Sequence, residues 1–234
     1  MIAALVQFLP SKGNPDKNLE LILELLTQCV TQKAELMILP EMCLTGYVWK
    51  EKEKIANLSE PPQGRTFQAL SSFCKEHHSF VAYGFAENCQ GKLYNSQNLI
   101  GPKGELLATY RKVHLFDTDY NWATSGDGFV SVKTEIGTLG LGICMDLNFN
   151  DFFSFHCLQL TDFLLLSTNW LDQGYDVHEY WLKRLSPFSG ISLIANSSGV
   201  DEHVVFSGYS GAFSNNQCLQ SGTKNNPEIV YIEI

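Results

Sequence analysis

Glu41, Lys112 and Cys144 are an acid, an amine and a thiol that share one address along the chain. Each follows an apolar run that reads as a strand: "LMILP" before Glu41, "ELLATYR" before Lys112 and "LGLGI" before Cys144. In open α/β sheets, sites gather beyond the carboxyl ends of strands, where a rigid scaffold holds side chains within reach of substrate. A free cysteine, with a pKa near ~8.5, is mostly thiol at neutral pH, so it needs help to attack. A neighbouring carboxylate can take its proton as general base. An ammonium can stabilise the oxyanion formed on a carbonyl, and the backbone N–H of Met145 is a second candidate donor. The chemistry is acyl transfer from an amide or nitrile: a thioester forms, amine or ammonia leaves, and water hydrolyses the thioester. No cofactor and no metal are required. In "GLGICMDLNFNDF" the cysteine meets Asp146 and Asn148 at once, a setting that suits an aimed nucleophile better than a packing residue.

Taken singly, each residue has a plainer reading. A cysteine at a strand end is most often a small core residue, Glu41 a solvated cap, and Lys112 a surface ammonium beside Arg111. His114, near Lys112, suggests a Cys/His pair, but no sequence signature supports it. His77-His78 reads as a polar helix end, Cys43 as packing. Asp117 and Asp119 suit a polar loop as well as a metal site.

The elements that must position these groups alternate. "IAALVQFLP" and "ELMILP" read as buried strands. Between them, Leu19, Ile22, Leu23, Leu26 and Val30 recur at helical spacing after a helix start at Asn14-Pro15. "KEKEKIANLSEPPQG" reads as a surface loop. "TFQALSSFCKEHH" is a helix, "FVAYGFAE" a strand, and "LYNSQNLIGPKGELLATYRK" a hairpin about "GPKG". "VHLFDTDYNWATSGDG" has no clear period, and long connections in compact domains are often functional. "FVSVKTEIGTLGLGIC" reads as two strands. Then come a helix ("FFSFHCLQL"), a strand ("DFLLLSTNW"), a helix ("DVHEYWLKRLSPFSG") and strands in "ISLIANSSG", "VVFSGYSGAF" and "EIVYIEI". The alternation, with hairpins mixed in, is that of a layered α/β domain with mixed sheets.

The 234 residues fit one domain spanning 1–234. A formal net charge of −9 argues against nucleic-acid binding. No apolar stretch reaches the roughly 18 residues of a membrane span, and "MIAALVQFLP" lacks the basic region of a signal peptide. The seven scattered cysteines form no CxxC pair, which disfavours zinc and thioredoxin-like readings and makes reduced thiols in the cytoplasm the expectation.

"ILPEMCLTGY", "YRKVHLF" and "GLGICMD" resemble, in order and context, the catalytic segments of the nitrilase superfamily of carbon–nitrogen hydrolases. The resemblance runs from the first strand to about Phe213 and puts the family's glutamate, lysine and cysteine on Glu41, Lys112 and Cys144. It implies a four-layer αββα sandwich of two mixed sheets, associating through an outer helical layer into dimers or larger assemblies. "TGYVWKEKEKIANLSEPPQG", "LFDTDYNWATSGDGF" and "GICMDLNFNDF" are similar to the branch of protein N-terminal amidases, which convert N-terminal Asn or Gln to Asp or Glu. On that resemblance Tyr47, Met145, Asp146, Asn169 and Trp170 belong to the substrate pocket, with Asp146 and Asn148 shaping the turn that aims Cys144. An acid follows "TD" in the branch and assists the lysine. Here Tyr120 stands there, and neighbouring Asp119 is the candidate replacement. Where the branch reads Asn-Arg-x-Gly-x-Glu, this chain has "NSSGVDE". Ser197 replaces the arginine, and Asp201 or Glu202 is left to pair with a substrate α-ammonium. The chain also stops sooner after "EIVYIEI" than the branch does. An ω-amidase-like small-amide hydrolase and a weakly active scaffold subunit are the alternative readings.

Overall fold

The computed structural model describes all 234 residues. The chain opens with β1 (Ile2–Gln7), α1 (Pro15–Thr31), β2 (Ala34–Ile38), a one-turn helix α2 (Lys52–Ala56) and α3 (Arg65–His77). Three strands follow: β3 (Phe80–Cys89), β4 (Lys92–Ile100) and β5 (Leu106–Arg111). A 3-10 turn at Asp117–Asn121 leads to β6 (Val130–Thr134) and β7 (Gly137–Ile143), and another at Cys144–Asn148 leads to α4 (Asn150–Leu158). The second half continues with β8 (Phe163–Thr168), α5 (Val177–Leu185), β9 (Ile191–Asn196), β10 (Ser198–Asp201), β11 (Val204–Ser207), β12 (Gly211–Ser214), β13 (Gln217–Ser221) and β14 (Glu228–Glu233).

Two six-stranded sheets result, ordered β14-β1-β2-β3-β4-β5 and β13-β12-β9-β8-β7-β6. Each has three parallel central strands flanked by antiparallel ones. The parallel strands are apolar on both faces, as strands covered on both sides must be. Their alternation sets the layers. Ala3, Leu5, Leu36 and Ile38 pack toward the second sheet, while Ala4, Val6, Met37 and Leu39 pack with Leu19, Ile22, Leu26 and Phe67 of α1 and α3. On the far side Phe152 and Phe153 of α4 and Trp181 and Leu185 of α5 cover the second sheet. This is the αββα sandwich.

A dry polar bridge ties the two sheets beneath the site. Gln97 Nε2 of β4 donates to Ser167 Oγ of β8 at 2.8 Å, and that hydroxyl donates to Leu39 O at 2.7 Å. The stretch expected as a plain loop holds α2, and Glu60 bridges to Glu87 of β3. Lys54 and Glu51 pair on the exposed face of that single turn, and Ile55 is its one buried residue. One apolar anchor is too little for a helical period to show. The "ISLIANSSG" and "VVFSGYSGAF" runs each divide in two, because β10 and β11 leave the sheet as their own hairpin. No helix is long and apolar enough to cross a membrane.

Candidate active site

Pro40 ends β2, and the chain turns at once, with Met42 at φ 51°. The turn is pinned to β3: the Cys43 N–H donates to Gly84 O at 3.0 Å and the Gly84 N–H to Pro40 O at 3.3 Å. Glycine permits this contact, since a Cβ on residue 84 would stand 2.6 Å from the Glu41 Cα. Buried Cys43 directs its thiol to the same Gly84 carbonyl, 3.2 Å away. Glu41 is thereby aimed between the sheets.

Lys112 follows β5, and strand alternation separates it from its cationic neighbour. Arg111 turns outward to Glu87, 2.5 Å away, whereas Lys112 turns inward and has no solvent exposure. Its Nζ donates to Glu41 Oε1 at 2.7 Å and to Asp119 Oδ2 at 2.6 Å. Asn95 of β4 joins the two acids, its Nδ2 lying 2.7 Å from Glu41 Oε1 and 3.4 Å from Asp119 Oδ1. Asp119 is carried by the 3-10 turn in the long connection, while Tyr120 beside it is 71% exposed. The second acid therefore sits one residue before the position that the sequence resemblance suggests.

Two carboxylates thus share one ammonium in a site closed to water. Burial raises the Glu41 pKa, Lys112 opposes that, and the Asp119 charge adds to it, so the net shift is upward. Burial would lower Lys112, but Asp119 and Glu41 outweigh it and hold the amine well above its ordinary value. Burial and then the Glu41 charge push the Cys144 thiol well up. The resting sulfur is protonated and needs a base. Glu41 Oε2, buried and without a hydrogen-bond partner, is free to take a proton.

Cys144 sits at the first residue after β7 with φ 41°, a left-handed conformation uncommon for a non-glycine side chain. Asp146 holds that turn. Its Oδ2 accepts from the Ile143 N–H at 2.9 Å and the Tyr110 hydroxyl at 2.7 Å, and its Oδ1 from the His114 N–H at 3.1 Å. One carboxylate so ties the cysteine turn to the segment that carries Lys112. Asp146 does not line the cavity at Cys144, contrary to expectation, because its oxygens are committed within the protein. His114 pairs with Asp151 at 3.0 Å and stacks on Phe149, not on Cys144.

Cys144 opens into a cavity of about 360 Å³. Met145, Asn169 and Trp170, expected there, line it, together with Asn148 of the cysteine turn and with Phe116, Leu171, Gln173, Tyr175 and Tyr180, which the sequence did not single out. Tyr47, also expected there, does not line it: the residue is buried, its ring centroid 5.9 Å from Lys112 Nζ and its hydroxyl unpaired. Asp201 and Glu202 lie elsewhere. They sit at the turn of the β10–β11 hairpin, where Glu202 pairs with Lys12 at 3.2 Å, and they do not line the Cys144 cavity. Asn95 was also missed. Its signal is the run "NSQN", four consecutive polar residues fully buried within β4.

Architecture and sequence together define the class. Residues 2–233 match the carbon-nitrogen hydrolase family, and the chain belongs to it. The protein N-terminal amidase of Schizosaccharomyces pombe is 34% identical, with 88% of each chain covered. The omega-amidase NIT2 of Homo sapiens is 35% identical over 62% of this chain and 55% of its own length. The crystal structure of an amidase from Nesterenkonia sp. superposes with a TM-score of 0.90 at 20% identity, covering 100% of this chain and 90% of that one, so the two share the fold.

Proposed function

We propose that the protein hydrolyses the side-chain carboxamide of N-terminal Asn or Gln in proteins or peptides, through a thioester on Cys144. The carrying observation for the chemistry is the closed Glu41–Lys112–Asp119 set, which acts electrostatically on a cysteine that opens into a cavity. Glu41 takes the thiol proton as the sulfur attacks the amide carbon. Lys112 Nζ and the Met145 N–H stabilise the developing oxyanion. Glu41 returns the proton to the nitrogen, the C–N bond breaks, and ammonia leaves. Water then attacks the thioester with Glu41 again as base, giving the acid and the free thiol.

The substrate class rests on similarity to the N-terminal amidase along nearly the whole of both chains. The residues lining the cavity include no carboxylate, so a substrate α-ammonium would meet the faces of Trp170, Tyr175 and Tyr180 instead of Asp201 or Glu202. Seven free cysteines suit a reducing, cytoplasmic setting. Exposed Leu158 and Leu160, at the end of α4 and just beyond it, suit association with a second copy through the outer helical layer.

The test is ammonia release from short peptides beginning with Asn or Gln, with Cys144→Ala as control. Release by the parent protein and none by the variant is expected. Release that survives the substitution would overturn the mechanism. Activity on free dicarboxylic or α-keto amides with none on peptides would replace the substrate class by the ω-amidase-like one, and an inert site that binds no amide would leave the scaffold role.

A further inference from the structure

Asn169 is the first residue after β8 and joins the Glu41 turn to the cavity at Cys144. Its Nδ2 donates to the backbone carbonyl of Glu41 at 2.7 Å. The residue shares the cavity with Cys144. The side chain lines the cavity and is 2% exposed. The orientation of the amide is settled by chemistry: a carbonyl oxygen only accepts, so the nitrogen must face Glu41 O. Oδ1 is then the remaining atom, and it is buried with no hydrogen-bond partner. A buried acceptor left unmade is costly until a donor from the cavity satisfies it.

We infer that Asn169 Oδ1 accepts a hydrogen bond from the N–H of the carboxamide being cleaved, and so selects amides over esters. A primary amide nitrogen carries two hydrogens. One is met by the Glu41 carboxylate, which later protonates the departing nitrogen, and the other needs a second acceptor. Asn169 is held against the Glu41 backbone and lines the same cavity as Cys144, within which the nitrogen of an amide under attack must lie. Holding both hydrogens turns the nitrogen lone pair toward Glu41 as the tetrahedral intermediate forms, ready for the proton that lets ammonia leave. An ester offers no hydrogen and leaves Oδ1 unpaired.

This inference rests on amide binding at Cys144, not on which amide is cut, and ammonia release by the parent protein tests that reading separately. The experiment uses the full chain with Cys144→Ala, so that nothing reacts. Dissociation constants are measured for a primary carboxamide and for the methyl ester of the same acyl group, with and without Asn169→Leu. Glu41 itself meets an amide hydrogen, so the comparison is repeated on a Glu41→Ala background, where a role limited to clamping Glu41 leaves the amide-to-ester ratio unchanged. The expected result is a fall in amide preference of roughly tenfold on adding Asn169→Leu. Should thermal melts show that variant unfolded, Asn169→Ser, whose hydroxyl is too short to reach, replaces it with the same expectation. A ratio preserved within about twofold in a folded variant overturns the inference.

Discussion

Replacing Lys112 by Met removes the cation that Glu41 and Asp119 share at 2.7 and 2.6 Å, with all three side chains fully buried. Methionine keeps the length of the side chain, so packing changes little and the effect is electrostatic. Breaking a buried pair by deleting one partner costs about 3–5 kcal/mol. Two adjacent carboxylates without a counter-ion cannot both stay ionised, so the folded variant must bind about one proton more than the parent protein. The sign follows. A carboxyl whose folded pKa is raised above its unfolded value near ~4.3 loses stability as pH rises, at about 1.4 kcal/mol per unit. The penalty relative to the parent protein should be about 1 kcal/mol near pH 5 and about 4 kcal/mol near pH 7.5. Denaturant unfolding of both proteins at the two pH values measures it. An equal penalty at both would refute the picture of two buried acids held by one ammonium.

Gly84→Ala places a Cβ 2.6 Å from the Glu41 Cα and 2.7 Å from the Met42 nitrogen, both backbone atoms. The turn must shift, and kcat should fall about 100-fold with a stability loss of about 1–3 kcal/mol, checked by kinetics alongside thermal melts. Asp146→Asn puts an NH2 group against donors that now meet a carboxylate at Ile143, Tyr110 and His114. It should cost about 1–3 kcal/mol and lower kcat more than it changes KM. Buried His156 has its pKa pushed down to about 4 by loss of solvent. Its folded pKa lies below the unfolded value near ~6.5, so stability is lost as pH falls from there toward about 4, by about 3 kcal/mol in all. His156→Gln should flatten unfolding free energy across that window, and an unchanged slope would exclude His156 as its source.

The Glu41, Lys112 and Cys144 set was legible because strand ends were legible. Apolar runs mark the parallel strands β2 and β7 that lead to Glu41 and Cys144, and the hairpin about "GPKG" marks the antiparallel β5 that leads to Lys112. Lys112 shows the limit of composition, since nothing in "YRK" says which cation turns inward until the register of β5 is known. Asn95 stayed hidden for a similar reason: "NSQN" reads as a solvated hairpin, and its burial depends on the second sheet covering it. Asp146 was placed in the right turn with the right task of shaping it, and only the added pocket role fails. Its backbone donors lie at Ile143 and His114, and only the folded chain brings both to one carboxylate. Asp201 and Glu202 were misplaced because β10 and β11 form a separate hairpin whose turn carries them to Lys12. Family likeness fixed their order along the chain but could not show where that hairpin points.

Chloroacetamide, a small amide bearing an alkylating carbon, gives the most direct measurement. Cys157 and Cys218 are exposed while Cys144 is buried, with a thiol pushed well up by burial and by Glu41. Access alone therefore favours the exposed pair. If Glu41 takes the thiol proton, peptide mapping after brief exposure should find Cys144 labelled first, and Glu41→Gln should abolish that priority. Labelling of Cys157 or Cys218 ahead of Cys144 in the parent protein would contradict the claim that this buried sulfur is the nucleophile.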